Sequence, residues 1–213
     1  MQNIKVINQH DFVQSEGLSY LNQYELRVSV RSCEFTSLAG NLLVKLSEYI
    51  QNGKRQIKPG EKIGWATSIL RFDECSSSIL ESYEVTLDGE NFKRGADDTL
   101  LRWREQSEKC IEFRSHYDPP ALEDFVVVSP DVLDGNLPEG VRYPYLSPNT
   151  GWWLFGGCYS GDLKTMQRVH LGHVLRAVPS LAEYLALEPG FCFDLKGPPR
   201  VWFEDEPAQR EPV

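Results

Sequence analysis

Polar and apolar positions alternate through YELRVSVRS, residues 24–32, which is the pattern of a half-buried strand. The period then changes. In TSLAGNLLVKLSEYIQNGKR, Leu38, Leu42, Leu46 and Tyr49 or Ile50 recur at helical spacing, Thr36 or Ser37 stands where an N-cap is needed, and Asn52-Gly53 can end the helix. KPGEK reads as a turn into IGWATSILRF, residues 63–72, and ILESYEVTL, residues 79–87, reads as a further strand. DGENFKRGADD is a polar loop, and DDTLLRWREQSEKCIEF, residues 97–113, predicts a helix capped by Asp97 or Asp98. Strand, helix, strand, strand, helix is the order of a small layer with helices on an antiparallel sheet.

Pro119-Pro120 excludes regular structure within SHYDPPALED. This seam can be a domain boundary or a loop across one continuous core. Beyond it FVVVS, residues 125–129, is a short buried strand, and the proline-rich and turn-rich stretch 130–151 predicts ordered loops. WWLFGG predicts a strand, LKTMQRVHLGHVLRAV at 163–178 a helix between Asp162 and Pro179, and SLAEYLAL a short helical turn. FCFDL and RVWFE close the pattern as strands. The fold class expected is α+β: antiparallel or mixed sheets packed against a few helices, in two small lobes over residues 1–118 and 119–205, with a polar tail at 206–213.

The 213 residues, 41% of them apolar, suffice for a real core. Five cysteines without any CxxC pair do not suggest a disulfide framework and fit a reducing compartment. The first 20 residues lack the apolar centre of a signal peptide, and no run approaches the roughly 18 apolar residues of a membrane span, so a cytoplasmic protein is expected. Charge narrows the partners. Residues 1–115 carry 15 basic and 17 acidic groups, whereas residues 116–213 carry 7 and 14. A chain of net charge −9 repels phosphate backbones, which disfavours nucleic acid, while its second half would attract a basic partner or act as a solubility device.

His170 and His173 fall three apart on the expected helix, and Cys158, Cys192 or Asp162 could complete a metal site; the spacing matches no short zinc pattern. The packing alternative is an imidazole donating to a backbone carbonyl or a carboxylate. Cys158 with His170 or His173 and Asp162 is the one local combination for nucleophilic catalysis, without a recognisable nucleophile turn. Cys192 reads as inert packing. GG after WWLF carries neither a dinucleotide nor a P-loop signature. No cofactor is expected. Candidates for partner contact are Trp152 and Trp153, which point to opposite faces of one strand, Trp202, and the acidic Asp162, Glu183, Glu188, Glu204, Asp205 and Glu206. Both tryptophans could instead serve the core, and the acidic run a solvated tail.

GWW at 151–153, GDLKTMQRVHLGHVL at 161–175, Pro179 with LAEYLAL at 181–187, and PGFCF at 189–193 follow one another in an order that resembles the immunity protein 33 domain family of bacterial polymorphic-toxin and contact-competition systems. The resemblance covers residues 124–205 and leaves the first 120 residues without a family. It implies a cytoplasmic antitoxin that binds a cognate toxin or secreted effector and blocks it without catalysis. A basic toxin such as a nuclease suits the acidic half, and toxins of other classes are equally compatible. Two alternatives stand beside it: another protein-interaction or scaffold module, and a metal-binding or Cys/His-dependent enzyme.

Overall fold

The structure, a computed structural model, describes residues 4–53, 55–86 and 89–205. The chain is an α+β protein that divides into two compact units, Met1–Leu101 and Arg102–Val213. Pro119-Pro120 lies inside the second. Among the described residues no helix is long and apolar enough to cross a membrane.

The first unit holds a seven-stranded mixed sheet of β1 (Lys5–Asn8), β2 (Phe12–Glu16), β3 (Glu25–Ser29), β4 (Glu61–Trp65), β5 (Ser68–Ser76), β6 (Ile79–Val85) and β7 (Phe92–Arg94), in the order β1-β2-β3-β6-β5-β4 with β7 also on β6. Helix α1 (Thr36–Gly53) buries Ala39, Leu42, Leu43, Leu46 and Ile50 and packs on β1, β2 and β3. Because β3 and β6 are parallel, α1 and the β4-β5 hairpin form the crossover between them.

Two sequence expectations change in this unit, and one strand pair is added. The stretch 63–72 is not one strand: the chain turns back at Ala66 and Thr67, with φ of 50° and 53°. Two consecutive positive φ values are the geometry of a type I′ hairpin turn, and neither residue belongs to the glycine and asparagine class that announces one. β1 and β2 pair at the N-terminus, and β7 occupies part of the expected polar loop. These strands are short, and the outermost, β1, leaves most positions exposed, so they lack a strong alternation. Helix α2 (Asp97–Phe113) lies where the pattern placed it. Its Asp97 accepts from the N–H groups of Arg31 and Ser32, while the fully buried Glu84 accepts the Thr99 N–H at 2.8 Å, placing a carboxylate at the positive end of the helix.

The second unit holds a six-stranded sheet in the order β11-β8-β10-β9-β12-β13, built from β8 (Phe125–Val128), β9 (Glu139–Arg142), β10 (Asn149–Phe155), β11 (Gln167–His170), β12 (Phe191–Asp194) and β13 (Arg200–Phe203), with α3 (Pro130–Leu133) and α4 (Leu171–Ala177) between strands. One face, with Val126, Val128, Trp152, Leu154, Phe191 and Phe193, shares a core with Leu171, Val174 and Leu175 of α4 and with Leu181, Ala182 and Tyr184 of the 3₁₀ segment Pro179–Tyr184.

Two corrections here bear on the site. The expected helix 163–178 is a 3₁₀ turn, the edge strand β11, and then α4. Its apolar positions serve two cores: Leu163 and Met166 pack on the outer face of the sheet, and Val169, Leu171 and Val174 on the inner face. The stretch 130–151 is not only loops, for β9 lies between β10 and β12. Its inward positions are Gly140 and Arg142, opposite Leu154 and Trp152, so the apolar alternation that marks a strand is missing. Glycine at 140 follows from close approach, since a Cβ would fall within the ring of Phe193. Gly140→Val should therefore cost about 2 kcal/mol or more in urea unfolding. Gly157→Ala, where a Cβ meets nothing within 4 Å, should stay within about 0.5 kcal/mol of the parent.

Candidate functional site

The strand registers of the second sheet align one row of outward residues across all six strands: Arg168, Val127, Trp153, Val141, Cys192 and Trp202. Five are apolar. This face carries a second, smaller cluster of Val141, Trp153, Phe155 and Cys192, against which Val127, Tyr143, Tyr159, Leu163, Met166 and Trp202 pack half-buried. Tyr143 meets Trp153 edge-on with ring centres 6.0 Å apart, and Phe155 lies 4.9 Å from Tyr159.

The segment after β10 covers the middle of this face, and a polar clamp fixes its start. The Ser129 hydroxyl donates to Asp131 Oδ1 at 2.7 Å and accepts the Gly156 N–H, while Asp131 Oδ2 accepts the Cys158 N–H at 3.0 Å. Gly156, the first of the two glycines after WWLF, thus lets the backbone close over a carboxylate of the protein itself, where a Cβ would meet the Asp131 oxygens. Burial works against the charged form of Asp131, and the Cys158 N–H and Ser129 hydroxyl outweigh it, holding the carboxyl below its ordinary pKa. The stabilisation from this clamp is present above the unfolded carboxyl pKa and is lost as pH falls through the lower folded value.

At the β8-β10 end the cover stops and an open groove of about 840 Å³ remains, walled by Phe125, Tyr143, Tyr145, Leu146, Trp153 and Met166. Leu146 is 85% exposed at its rim. The Arg168 guanidinium lies 3.9 Å over the ring of Phe125 and donates to Asn149 Oδ1 at 2.9 Å.

Arg142 anchors the groove from behind. Its side chain has no exposed surface: Nε donates to the Thr150 carbonyl at 3.0 Å, and Nη1 to the carbonyls of Asp118, at 2.7 Å, and of Leu187. Nη2 stands 3.2 Å from Asp118 Oδ2 as a charge contact without hydrogen-bond alignment. Burial pushes the Arg142 pKa below the ordinary guanidinium value, opposed by Asp118 and Tyr145. The Tyr145 hydroxyl donates to the same Asp118 oxygen at 2.8 Å, which ties the groove wall to the buried charge.

The structure distributes the residues singled out from sequence. Trp152 is 1% exposed, with its indole N–H on the Leu185 carbonyl at 3.0 Å; its surface belongs to the core. Trp153 and Trp202 share the outer row, and the Trp202 indole donates to Glu204 Oε1 at 2.9 Å. Asp205 is exposed nearby in the chain, and Glu206 lies outside the described residues. Other carboxylates stand elsewhere: Glu183 at 3.7 Å from Lys109, Glu188 accepting the His116 N–H, and Asp162 accepting the Lys164 N–H. They do not form one patch.

His170 ends β11 and caps α4, so the two histidines do not lie on one long helix, but their rings are neighbours, with centres 6.2 Å apart. Nδ1 of His170 is 2.7 Å from the Glu123 carbonyl oxygen and its ring stacks on Phe125, while the ring of His173 lies beside Arg176. Cys158 is exposed and held through its N–H by Asp131, whereas Cys192 is buried in the outer cluster, and burial pushes its thiol up to about 12. Among the described residues no group of three or more His, Cys, Asp or Glu could hold a metal ion. Sequence reasoning missed Arg168, Tyr143, Tyr145, Leu146 and Arg142. The alternation of Tyr143 with Tyr145, and of Arg168 with His170, was the available signal, hidden by the loop and helix readings of those stretches.

The sequence model of one protein family, described as the Imm33-like domain, matches residues 105–204. No functionally curated protein and no solved structure matches the chain. An immunity-protein domain is thus detected over less than half of the chain, spanning all six strands of the second sheet and excluding the first unit.

Burial makes a direct prediction for the thiols. With an aromatic disulfide reagent at pH 8, native protein should label at Cys33, Cys75 and Cys158 and leave Cys110 and Cys192 unmodified until denaturant is added. Rapid native labelling of Cys192 would contradict the packing of the outer face.

Proposed function

We propose that the protein is a cytoplasmic immunity protein that binds a cognate toxin or secreted effector and blocks it by occlusion, with the outer face of the second sheet as its contact surface. The observation that carries this reading is the match of residues 105–204 to an immunity-protein domain. The geometry supports it with a surface suited to binding. Half-buried aromatic side chains around Trp153 offer apolar area on a rigid sheet, and rigid aromatic anchors dominate the energetics of protein interfaces. Occlusion requires no reacting group. Three of the side chains named for chemistry have structural partners in the fold: His170 at a carbonyl, Cys192 in a cluster, and Asp162 at the first turn of a 3₁₀ segment.

Trp153, Trp202 and Glu204 are the contact candidates from sequence that we assign to this surface, joined by Arg168, Tyr143 and Leu146. Glu183 and Glu188 bind other parts of the unit and are not assigned to it. Co-expression with the toxin encoded beside this gene should restore growth, and killing that persists with well-folded protein would reject the role. Leu146→Asp, at an exposed position, should leave stability within about 0.5 kcal/mol and abolish that protection.

A further inference from the structure

We infer that the groove beside Trp153 receives a large apolar side chain of the partner that is flanked by carboxylates, so that this contact selects an acidic segment and not a basic one. The inference rests on the binding role proposed for this face and assigns the chemistry of the group that enters it. Its observation is a local inversion of charge. The chain carries 31 Asp and Glu residues against 22 Lys and Arg, yet none of the residues lining the groove is acidic and one, Arg168, is cationic.

Three neighbouring carboxylates are held by groups of the chain itself: Asp118, behind Tyr145, is 3.2 Å from the Arg142 guanidinium, Asp124, whose charge also acts on Tyr145, accepts the Ala121 N–H at 3.0 Å, and Asp162, next to the lining residue Leu163, accepts the Lys164 N–H. Asn149 and the ring of Phe125 hold Arg168 in one orientation over the groove mouth. Among the described residues Asn149 is its single hydrogen-bond acceptor, and a guanidinium has five donors in a planar fork that suits a carboxylate. The walls of Tyr143, Trp153 and Met166 supply the apolar contact, and about 840 Å³ admits an aromatic side chain with its adjoining backbone.

The test uses full-length protein and three acetylated, amidated tetrapeptides, DFDG, KFKG and DADG, titrated while the indole N–H signals are followed by NMR. DFDG should shift the Trp153 signal saturably, KFKG should bind at least about tenfold more weakly, and DADG should not saturate. Arg168→Glu should reverse the order of DFDG and KFKG, and Arg168→Gln should bring the two together while keeping the preference for phenylalanine. Equal binding of DFDG and KFKG by the parent protein, no Trp153 shift with either, or an order unchanged in Arg168→Glu would overturn the assignment. The toxin co-expression assay separates the two claims. Protection without peptide discrimination removes only the groove chemistry, and discrimination without protection removes only the immunity role.

Discussion

A guanidinium removed from water must find acceptors for its donors, and in the second unit Arg142 finds them on segments far apart in sequence: the carbonyls of Asp118, Thr150 and Leu187, with the Asp118 carboxylate beside them. The hydrogen bonds fix where the 3₁₀ segment ends, where the seam after α2 runs, and how β10 begins. Trp152 adds its own N–H to the Leu185 carbonyl, and its ring lies 5.7 Å from the guanidinium. A buried charge is costly unless all of this geometry is met, so its presence selects one arrangement of these segments over looser ones. Tyr145 carries the constraint to the surface, since its hydroxyl shares Asp118 with Arg142 while its ring walls the groove.

The sheet thereby acquires two unlike faces. The inner face is committed to a core with α4 and the 3₁₀ segment, and the outer face is covered only in part, by a segment that Ser129 and Asp131 clamp at its start. The aromatic groove is what the cover leaves open. For the binding role proposed here such a division is useful, because the proposed contact surface stands on a sheet whose register is already fixed from behind, and a preorganised surface loses less entropy on binding. The acidic character of the chain does not describe this surface. Glu183, Asp194 and Glu204 are engaged one by one, by Lys109, Arg200 and Trp202, and Glu188 and Asp162 by backbone N–H groups.

The α+β class, α1 and α2, the strands at 125–128 and 191–194, and the likeness to an immunity-protein domain were legible because each rests on a local period or a motif order. β9 was not legible, since its inward residues are a glycine beneath Phe193 and an arginine whose acceptors come from other segments; apolar periodicity cannot show a buried charge. The run from 163 to 178 misled for another reason. Residues spaced as on a helix turned out to face two different clusters across a strand, and pairing with β8 overrode the helical tendency of the stretch. The turn at Ala66 and Thr67 carried no chemical signal. The groove shared these failures, because four of its walls, Tyr143, Tyr145, Leu146 and Met166, lie in the stretches where the period was misread.

The account depends most on Arg142 as the organiser of the second unit, and urea unfolding of Arg142→Met beside Arg168→Met tests it most directly. With three buried carbonyls deprived of this donor and Asp118 of its counter-charge, Arg142→Met should lose about 3 kcal/mol or more, together with the hydrogen-exchange protection of the Trp152 indole N–H. Arg168→Met, which loses an exposed contact over Phe125 and one hydrogen bond, should remain within about 1 kcal/mol of the parent. An Arg142→Met protein as stable as the parent, with Trp152 still protected, would contradict the account.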